Sequence, residues 1–399
     1  MNKRVKVFVL LAFLFPAVVF GDSALPTDAE LLHEYQQSFF WADLPGKTEV
    51  LKDAASDEKA HGIIAQFYEY ALLFALYEDV ILKDTPDMIR LITFAARGLG
   101  NTGYSESVET LWHLFLKYQN NSAGAELLIA FGKLGKGNRS ITEKLNRYLL
   151  EQNENYSYGA SVNYTVLSVC IAVIMEMGNS SSYPALFSVL YSGYPEVIVS
   201  EATGALELIP GNYTQFLVDV IGEREPAHKF AAFRAGINSE RLSSWERGQL
   251  AELSLEQSLT YDEIEDLPSL SALRYAAVTE LTQLRWTRAS ALAVRHYFLI
   301  QADFQHNNVS KKYFIEAIEC LGAVGNTDAA RALLLQLGLI NAQTGRDGNY
   351  DAEITLAIVR ALGLIGDKAA FDLLTQVTLL DYSANIKAAA REALGRLKW

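Results

Sequence analysis

Only two cysteines stand in the 399 residues, Cys170 and Cys320, and that scarcity excludes a disulfide-stapled secreted scaffold. Both lie in apolar, helix-like runs, "VLSVCIAVIM" and "EAIECLGAV", where a free thiol acts as a small hydrophobe. Proline is scarce too, at nine, as expected of a chain rich in long helices. Half of the residues are hydrophobic and a fifth are charged, which excludes intrinsic disorder. Basic residues are outnumbered, 34 against 47 acids. The net charge of −13 disfavours a general nucleic-acid binder, whose surface has to replace condensed cations with Lys and Arg. It also disfavours adhesion to anionic lipid.

Long apolar runs are missing except at the start. "MNKRVK" supplies Lys3, Arg4 and Lys6, and an apolar run comes next, from Val7 to Phe20. That order predicts a secretory signal over residues 1–21, with Val19 and Gly21 at the small-residue positions of the cut. The run is short for a membrane span, which needs about 20 apolar residues. Cleavage would take three basic residues and no acid, leaving −16. The short basic start is of the bacterial kind, so the expected product is periplasmic or extracellular, with no membrane insertion once the signal is gone. Asn-x-Ser/Thr triplets such as Asn138-Arg-Ser140, Asn163-Tyr-Thr165 and Asn212-Tyr-Thr214 matter as glycan acceptors only in a eukaryotic secretory pathway.

The chain is instead rich in helical periodicity. "MIRLITFAARGLG", "SVETLWHLFLKYQ", "AELLIAFGKLG" and "EITLAIVRALGLIG" place apolar residues at three- and four-residue steps. Short Gly/Asn/Ser/Pro turns separate them, and Pro184, Pro195 and Pro226 stand where helices begin. Two stretches repeat: "CLGAVGNTDAARALL" from Cys320 and "ALGLIGDKAAFDLL" from Ala361. Aligned on Gly322 and Gly363, each copy predicts a helix closed by a left-handed glycine, Gly325 or Gly366. Each then has an N-cap, Asn326 or Asp367, and a small residue, Ala329 or Ala370, for close helix approach. The tail "DYSANIKAAAREALGRL" predicts a helix with Ile386, Ala389, Ala390, Ala393 and Leu394 on one face. Weaker echoes recur upstream at intervals of about thirty to forty residues, the period of helical solenoids.

"LGLIGDKAAFDLL" and then "DYSANIKAAAREAL" resemble the HEAT-like repeats first noted in phycobilisome lyases. Asp381, Ile386 and Lys387 occupy the Asp, Val and Arg slots of that pattern. The resemblance is strong over about 310–399, degenerate over about 86–305 and absent over about 25–85. It implies an all-α fold, an α-solenoid of stacked antiparallel helix pairs with a concave binding surface. It implies no lyase activity, because the pattern carries no catalytic residue. The Arg slot holds Lys387, Lys229 and Arg274 in some copies but Thr355, Phe314 and Val199 in others, so a continuous Asp–Arg ladder is not expected. The expected organisation is a signal over 1–21, a helical cap over 22–85, degenerate repeats over 86–305 and well-formed repeats over 306–399. Long connections are expected at "NAQTGRDGNYDAE" and "TYDEIEDLPS", and such insertions decorate the binding side of solenoids.

Motifs for chemistry are few. No two of the six histidines have the spacing of a zinc helix, and no cysteine pair has ligand spacing. Asp347, Asn349, Asp351 and Glu353 alternate like the start of a calcium loop, but Ala352 and Ile358 replace its glycine and closing glutamate, so Asp351 is expected to cap a helix from Ala352. A nucleophile elbow and a phosphate loop are both missing. Glu263 and Glu265 read as solvated charge. No cofactor is expected, and no catalytic or metal residue is assigned. The most distinctive stretch is "LRWTRASALAVRHYF", which puts Arg285, Arg288, Leu292 and Arg295 along one helical face, with Trp286 and Tyr297 nearby. On an acidic chain these are the candidate contacts for an anion or acidic peptide, set against pairing with neighbouring acids. Tyr156, Tyr158, Tyr183 and Tyr194 are candidate groove residues. The sequence supports three readings: a non-enzymatic scaffold for a protein or peptide partner, an enzyme or enzyme subunit of envelope metabolism, and a structural subunit of an envelope complex.

Overall fold

The computed structural model describes residues 27–78, 82–260 and 267–399. The expected signal at 1–21 and the Glu263/Glu265 pair lie outside the described residues. The fold is all-α: twenty α-helices and no strand among the described residues. The chain divides into two compact units, Met1–Leu134 and Gly135–Trp399.

The first unit holds α1 (Asp28–Trp41), α2 (Leu44–Ser56), α3 (Ile64–Tyr77), α4 (Pro86–Gly100), α5 (Val108–Tyr118) and α6 (Ser122–Leu134). Thr27 opens α1 with a reciprocal capping box to Glu30, which satisfies donors that a helix start leaves free. Helix α2 packs on α4 and α4 on α6, while α1 packs on α3 and α3 on α5.

The second unit begins with α7 (Arg139–Ser157), α8 (Tyr164–Met177), α9 (Tyr183–Val189), α10 (Glu196–Leu208), α11 (Tyr213–Glu223), α12 (Pro226–Ile237) and α13 (Ser244–Thr260). It continues with α14 (Leu267–Leu284), α15 (Ser290–Gln305), α16 (Lys311–Val324), α17 (Thr327–Asp347), α18 (Ala352–Ile365), α19 (Phe371–Leu379) and α20 (Ala384–Gly395). Packing again skips one helix: α12 meets α14, α14 meets α16, and the row runs on through α18 to α20, while α11, α13, α15, α17 and α19 form a second row. Asparagines of the Asn-x-Ser/Thr triplets have a structural use here. Asn138, Asn163 and Asn212 each accept a backbone N–H at the start of α7, α8 and α11, the capping role for which Asn is suited.

The two copies of the repeat differ at their closing glycines. Gly366 takes the left-handed conformation at φ 71°, as expected. Gly325 does not: it is extended, at φ −75°, and the requirement there is spatial. A Cβ on Gly325 would stand 2.6 Å from the Ala329 Cβ. Asn326 and Asp367 both cap the helical turn after them, accepting from the backbone N–H of Asp328 and Ala369. The mid-helix glycines Gly322 and Gly363 carry a further role. A Cβ on Gly322 would stand 2.8 Å from the Ala361 Cα, and one on Gly363 would stand 2.9 Å from the Ala393 Cα. Gly100 faces Ala130 in the same way at 3.0 Å. Adjacent helices of one row thus meet backbone to backbone at these points.

The connection expected at "NAQTGRDGNYDAE" is mostly helix. Helix α17 runs on to Asp347 and closes at left-handed Gly348. It continues because Asn341 and Thr344 are buried and bonded: Asn341 donates to the Leu373 carbonyl and accepts from the Tyr382 hydroxyl, and Thr344 also pairs with Tyr382. Asp351 caps α18 as expected, accepting from Glu353 and Ile354 N–H.

Cationic side chains close several helix ends, Lys47 and Lys229 from buried positions. Lys47 donates to the carbonyls of Phe39 and Ala42 at the end of α1. Lys117 donates to Ala75, Leu76 and Glu78 at the end of α3. Lys229, 2% exposed, donates to Ile221 and Gly222 at the end of α11 and to the Gln257 side chain. Arg241 does the same for Leu206, Ile209 and Gly211 after α10. A helix end presents unpaired carbonyls and partial negative charge, and a cation answers both. Burial holds the Lys229 ammonium below the ordinary lysine range, so the carbonyls have to offset its desolvation. Lys229→Met keeps the stem and orphans three acceptors. It is expected to cost roughly 2–3 kcal/mol, measured as a lowered urea midpoint, while Lys312→Met on the exposed face of α16 changes little.

Candidate functional site

The stretch from Leu284 to Phe298 does not form one helical face. Helix α14 stops at Leu284, Arg285 turns the chain at φ 50°, and α15 starts only at Ser290. The turn sends the candidate residues into separate environments. Trp286 packs its ring over Gly248, where no Cβ would fit, and its Nε1–H donates to Glu252 at 2.7 Å. Arg288 lies over the Trp286 ring and 3.6 Å from the same carboxylate. This Trp–Arg–Glu cluster satisfies itself. Arg295 is exposed on α15.

Tyr297 corrects the expectation of a surface contact. It is wholly buried, with its ring stacked on Phe314 at 5.7 Å. Ala293, Tyr297 and Ile300 share the inward face of α15, so no partner reaches it.

Arg285, of the five, lines a groove. That groove, about 370 Å³, crosses α14, α16 and α18 and is lined by Thr282, Arg285, Glu319, Gly322, Arg360 and Leu364, over a floor of alanines. The close approach at Gly322 and Ala361 keeps the floor free of bulky side chains. Arg285 and Arg360 are both exposed, and neither makes an ion pair among the described residues. Glu319 is the single carboxylate of the lining. A second groove of about 340 Å³ crosses α10 and α12, with Ala227, Ala231 and Ala235 in its lining, Phe230 and Val199 as walls, and Arg234 at its rim. Arg234 lies 5.9 Å from the Phe230 ring and likewise has no ion pair among the described residues. Both grooves can take side chains of an extended chain and offer guanidinium groups to carboxylates.

Elsewhere several polar groups are engaged in holding the fold. Lys311 bridges Asp351 at 2.8 Å and Glu353 at 3.1 Å, which neutralises the acids of the calcium-like stretch. Among the described residues no group of three or more His, Cys, Asp or Glu comes together. Both cysteines are free and buried, and burial pushes their thiols up to about 12 for Cys170 and about 11 for Cys320. Tyr194 and Tyr183 are buried; Tyr194 stacks on Tyr156 at 4.1 Å. Tyr158 stands in solvent.

Sequence reasoning found Arg285 but missed Arg360 and Arg234. Arg360 is the single cation of α18, while Arg234 shares α12 with Lys229, and only tertiary packing brings each to a groove. No family model and no curated protein matches the sequence.

Proposed function

We propose that the chain is an exported, non-enzymatic α-solenoid of HEAT-like repeats that binds a protein or peptide partner in the cell envelope. The repeated motif and the skip-one packing within each unit, as from α12 through α14, α16 and α18 to α20, support the solenoid. The observation that carries the binding reading is the alanine-floored groove across α14, α16 and α18, with Arg285 and Arg360 unpaired at its edge. Groups that a fold needs for itself are paired, as Arg288 and Lys311 are; cations left open on a net-acidic surface are available to a ligand. Crosslinking of the mature chain in its native envelope, and then capture, is expected to recover one stoichiometric protein. Recovery of none, with turnover of a cell-wall fragment instead, would overturn the reading in favour of an enzyme. The mature N-terminus is expected to begin after Gly21; a product retaining Met1 counts against export by cleavage.

The third reading, a structural subunit, has an observation of its own. Leu335 and Leu339, one turn apart on α17, are 69% and 68% exposed. Phe298 and Leu299 on neighbouring α15 and Leu379 on α19 are also exposed. Exposed apolar groups that recur on adjacent helices mark a contact surface. It lies on the second helix row, so it does not compete for the groove residues. Leu335→Asp with Leu339→Asp is the variant that separates a complex built on this face from a partner held in the groove.

A further inference from the structure

We infer that the partner's bound segment is an extended acidic peptide with interspersed apolar side chains, its carboxylates taken by Arg285 and Arg360 and, one groove along, by Arg234. This rests on the partner-binding reading above.

Three observations converge. First, the two grooves share one construction although they come from different helices. Each has a floor of small residues, an apolar wall (Leu364 in one, Phe230 and Val199 in the other) and arginine at the rim. Both lie along the same row, since α12 packs on α14 and α14 on α16. Repetition of one construction along a row matches a ligand that also repeats. A peptide with apolar side chains at intervals does so, whereas a small molecule would fill one groove only.

Second, the arginines are open. A bidentate guanidinium–carboxylate pair is among the stronger polar contacts available at a surface. In the larger groove two guanidinium groups face one carboxylate, Glu319, so the local balance is positive. The molecule as a whole, at −13, draws basic partners from a distance. The groove itself rejects them, because a lysine placed there would face two like charges. Discrimination is therefore local, and an acidic segment is favoured where it docks.

Third, the floor carries no bulky side chain. A Cβ on Gly322 would stand 2.8 Å from the Ala361 Cα, so α16 and α18 lie backbone to backbone and leave a groove of about 370 Å³ above them. That volume accommodates leucine-sized side chains presented singly by an extended strand, whereas a helix about 10 Å across with its side chains asks for a wider one.

The test uses the full mature chain and two fluorescent probes in anisotropy titrations: a short peptide alternating Glu and Leu, and its counterpart alternating Lys and Leu. The wild type is expected to bind the Glu/Leu probe and to prefer it to the Lys/Leu probe by about tenfold or more. Arg285→Glu with Arg360→Glu is expected to reverse that preference. Arg360→Glu alone, which leaves the turn at Arg285 intact, is expected to weaken the Glu/Leu probe severalfold. Unchanged far-ultraviolet circular dichroism and melting establish that both variants are folded. Equal binding of the two probes by the wild type, or an undiminished Glu/Leu affinity in the double variant, overturns the inference. Capture of the native partner separates the levels. A partner still recovered at full yield by the double variant leaves the scaffold reading standing and removes the acidic peptide. No partner from the wild type removes the scaffold reading itself.

Discussion

Gly322→Leu is expected to destabilise the second unit by about 3 kcal/mol. The new side chain has no route out of the contact, because the first atoms it meets are the Cα and Cβ of Ala361 at 2.8 and 2.9 Å. Backbone cannot rotate aside as a side chain does, so α16 and α18 have to separate along their whole contact. The helix propensity gained on losing a glycine, up to about 1 kcal/mol, does not offset this. Gly204→Ala provides the opposite sign. Gly204 lies inside α10 with nothing within 4 Å of an added Cβ, so the substitution is expected to stabilise by about 0.5–1 kcal/mol. Urea midpoints of the two variants on either side of the wild type check the account. A neutral Gly322→Leu would show that the backbone contact is dispensable. Because Gly322 and Ala361 also line the larger groove, the same variant is expected to lose partner binding, whereas Gly204→Ala keeps it.

Acidification is expected to destabilise the wild type more steeply than a His296→Leu variant. His296 is 1% exposed on α15, with its ring against Tyr275 and its Nδ1 unpartnered. Burial, with a smaller contribution from the charge of Arg274, drives its pKa down to about 3. The native imidazole is therefore neutral through the ordinary pH range, while the unfolded one gains a proton below about 6.5. Between those values the unfolded state binds one proton more than the native state, so stability falls as pH falls, by up to about 1.4 kcal/mol per pH unit. From pH 7 to pH 4.5 the loss from this group alone is roughly 2–3 kcal/mol. Carboxylates titrate in both proteins and cancel in the difference. At pH 7 the two proteins are expected to lie within about 1 kcal/mol, since Leu is of similar volume and removes an unpaired polar atom. At pH 4.5 the variant is expected to be the more stable. Parallel melting temperatures across the range would show that His296 is protonated in the fold.

The helices were legible because a 3.6-residue apolar period needs no tertiary information, and the caps at Asn326, Asp351 and Asp367 were legible because capping is local. Gly325 was read by its neighbours' chemistry as a left-handed closure; its real constraint is the close approach of the Leu321 carbonyl and the Ala329 Cβ, set by the extended path the chain takes out of α16. The end of α17 was hidden because Asn341 and Thr344, which carry its buried face past Leu337, are polar and look like loop residues until Tyr382 is beside them. Tyr297 could have been placed: Ala293, Tyr297 and Ile300 repeat at helical spacing, and that spacing marks a core stripe more reliably than a nearby charge marks a surface. The groove could not be placed. Arg285 in the turn after α14 and Arg360 in α18 are distant in the chain, and no local pattern says that they share an edge.

The lysine-closed helix ends have a directional consequence. The cation that finishes each helix comes from later in the chain than the helix it finishes: Lys47 closes α1, Lys117 closes α3, Lys229 closes α11 and Arg241 closes α10. In a chain emerging from its N-terminus, these four helix ends thus keep open carbonyls until the segment that carries the cation has followed. At these points completion of a helix waits on residues delivered after it.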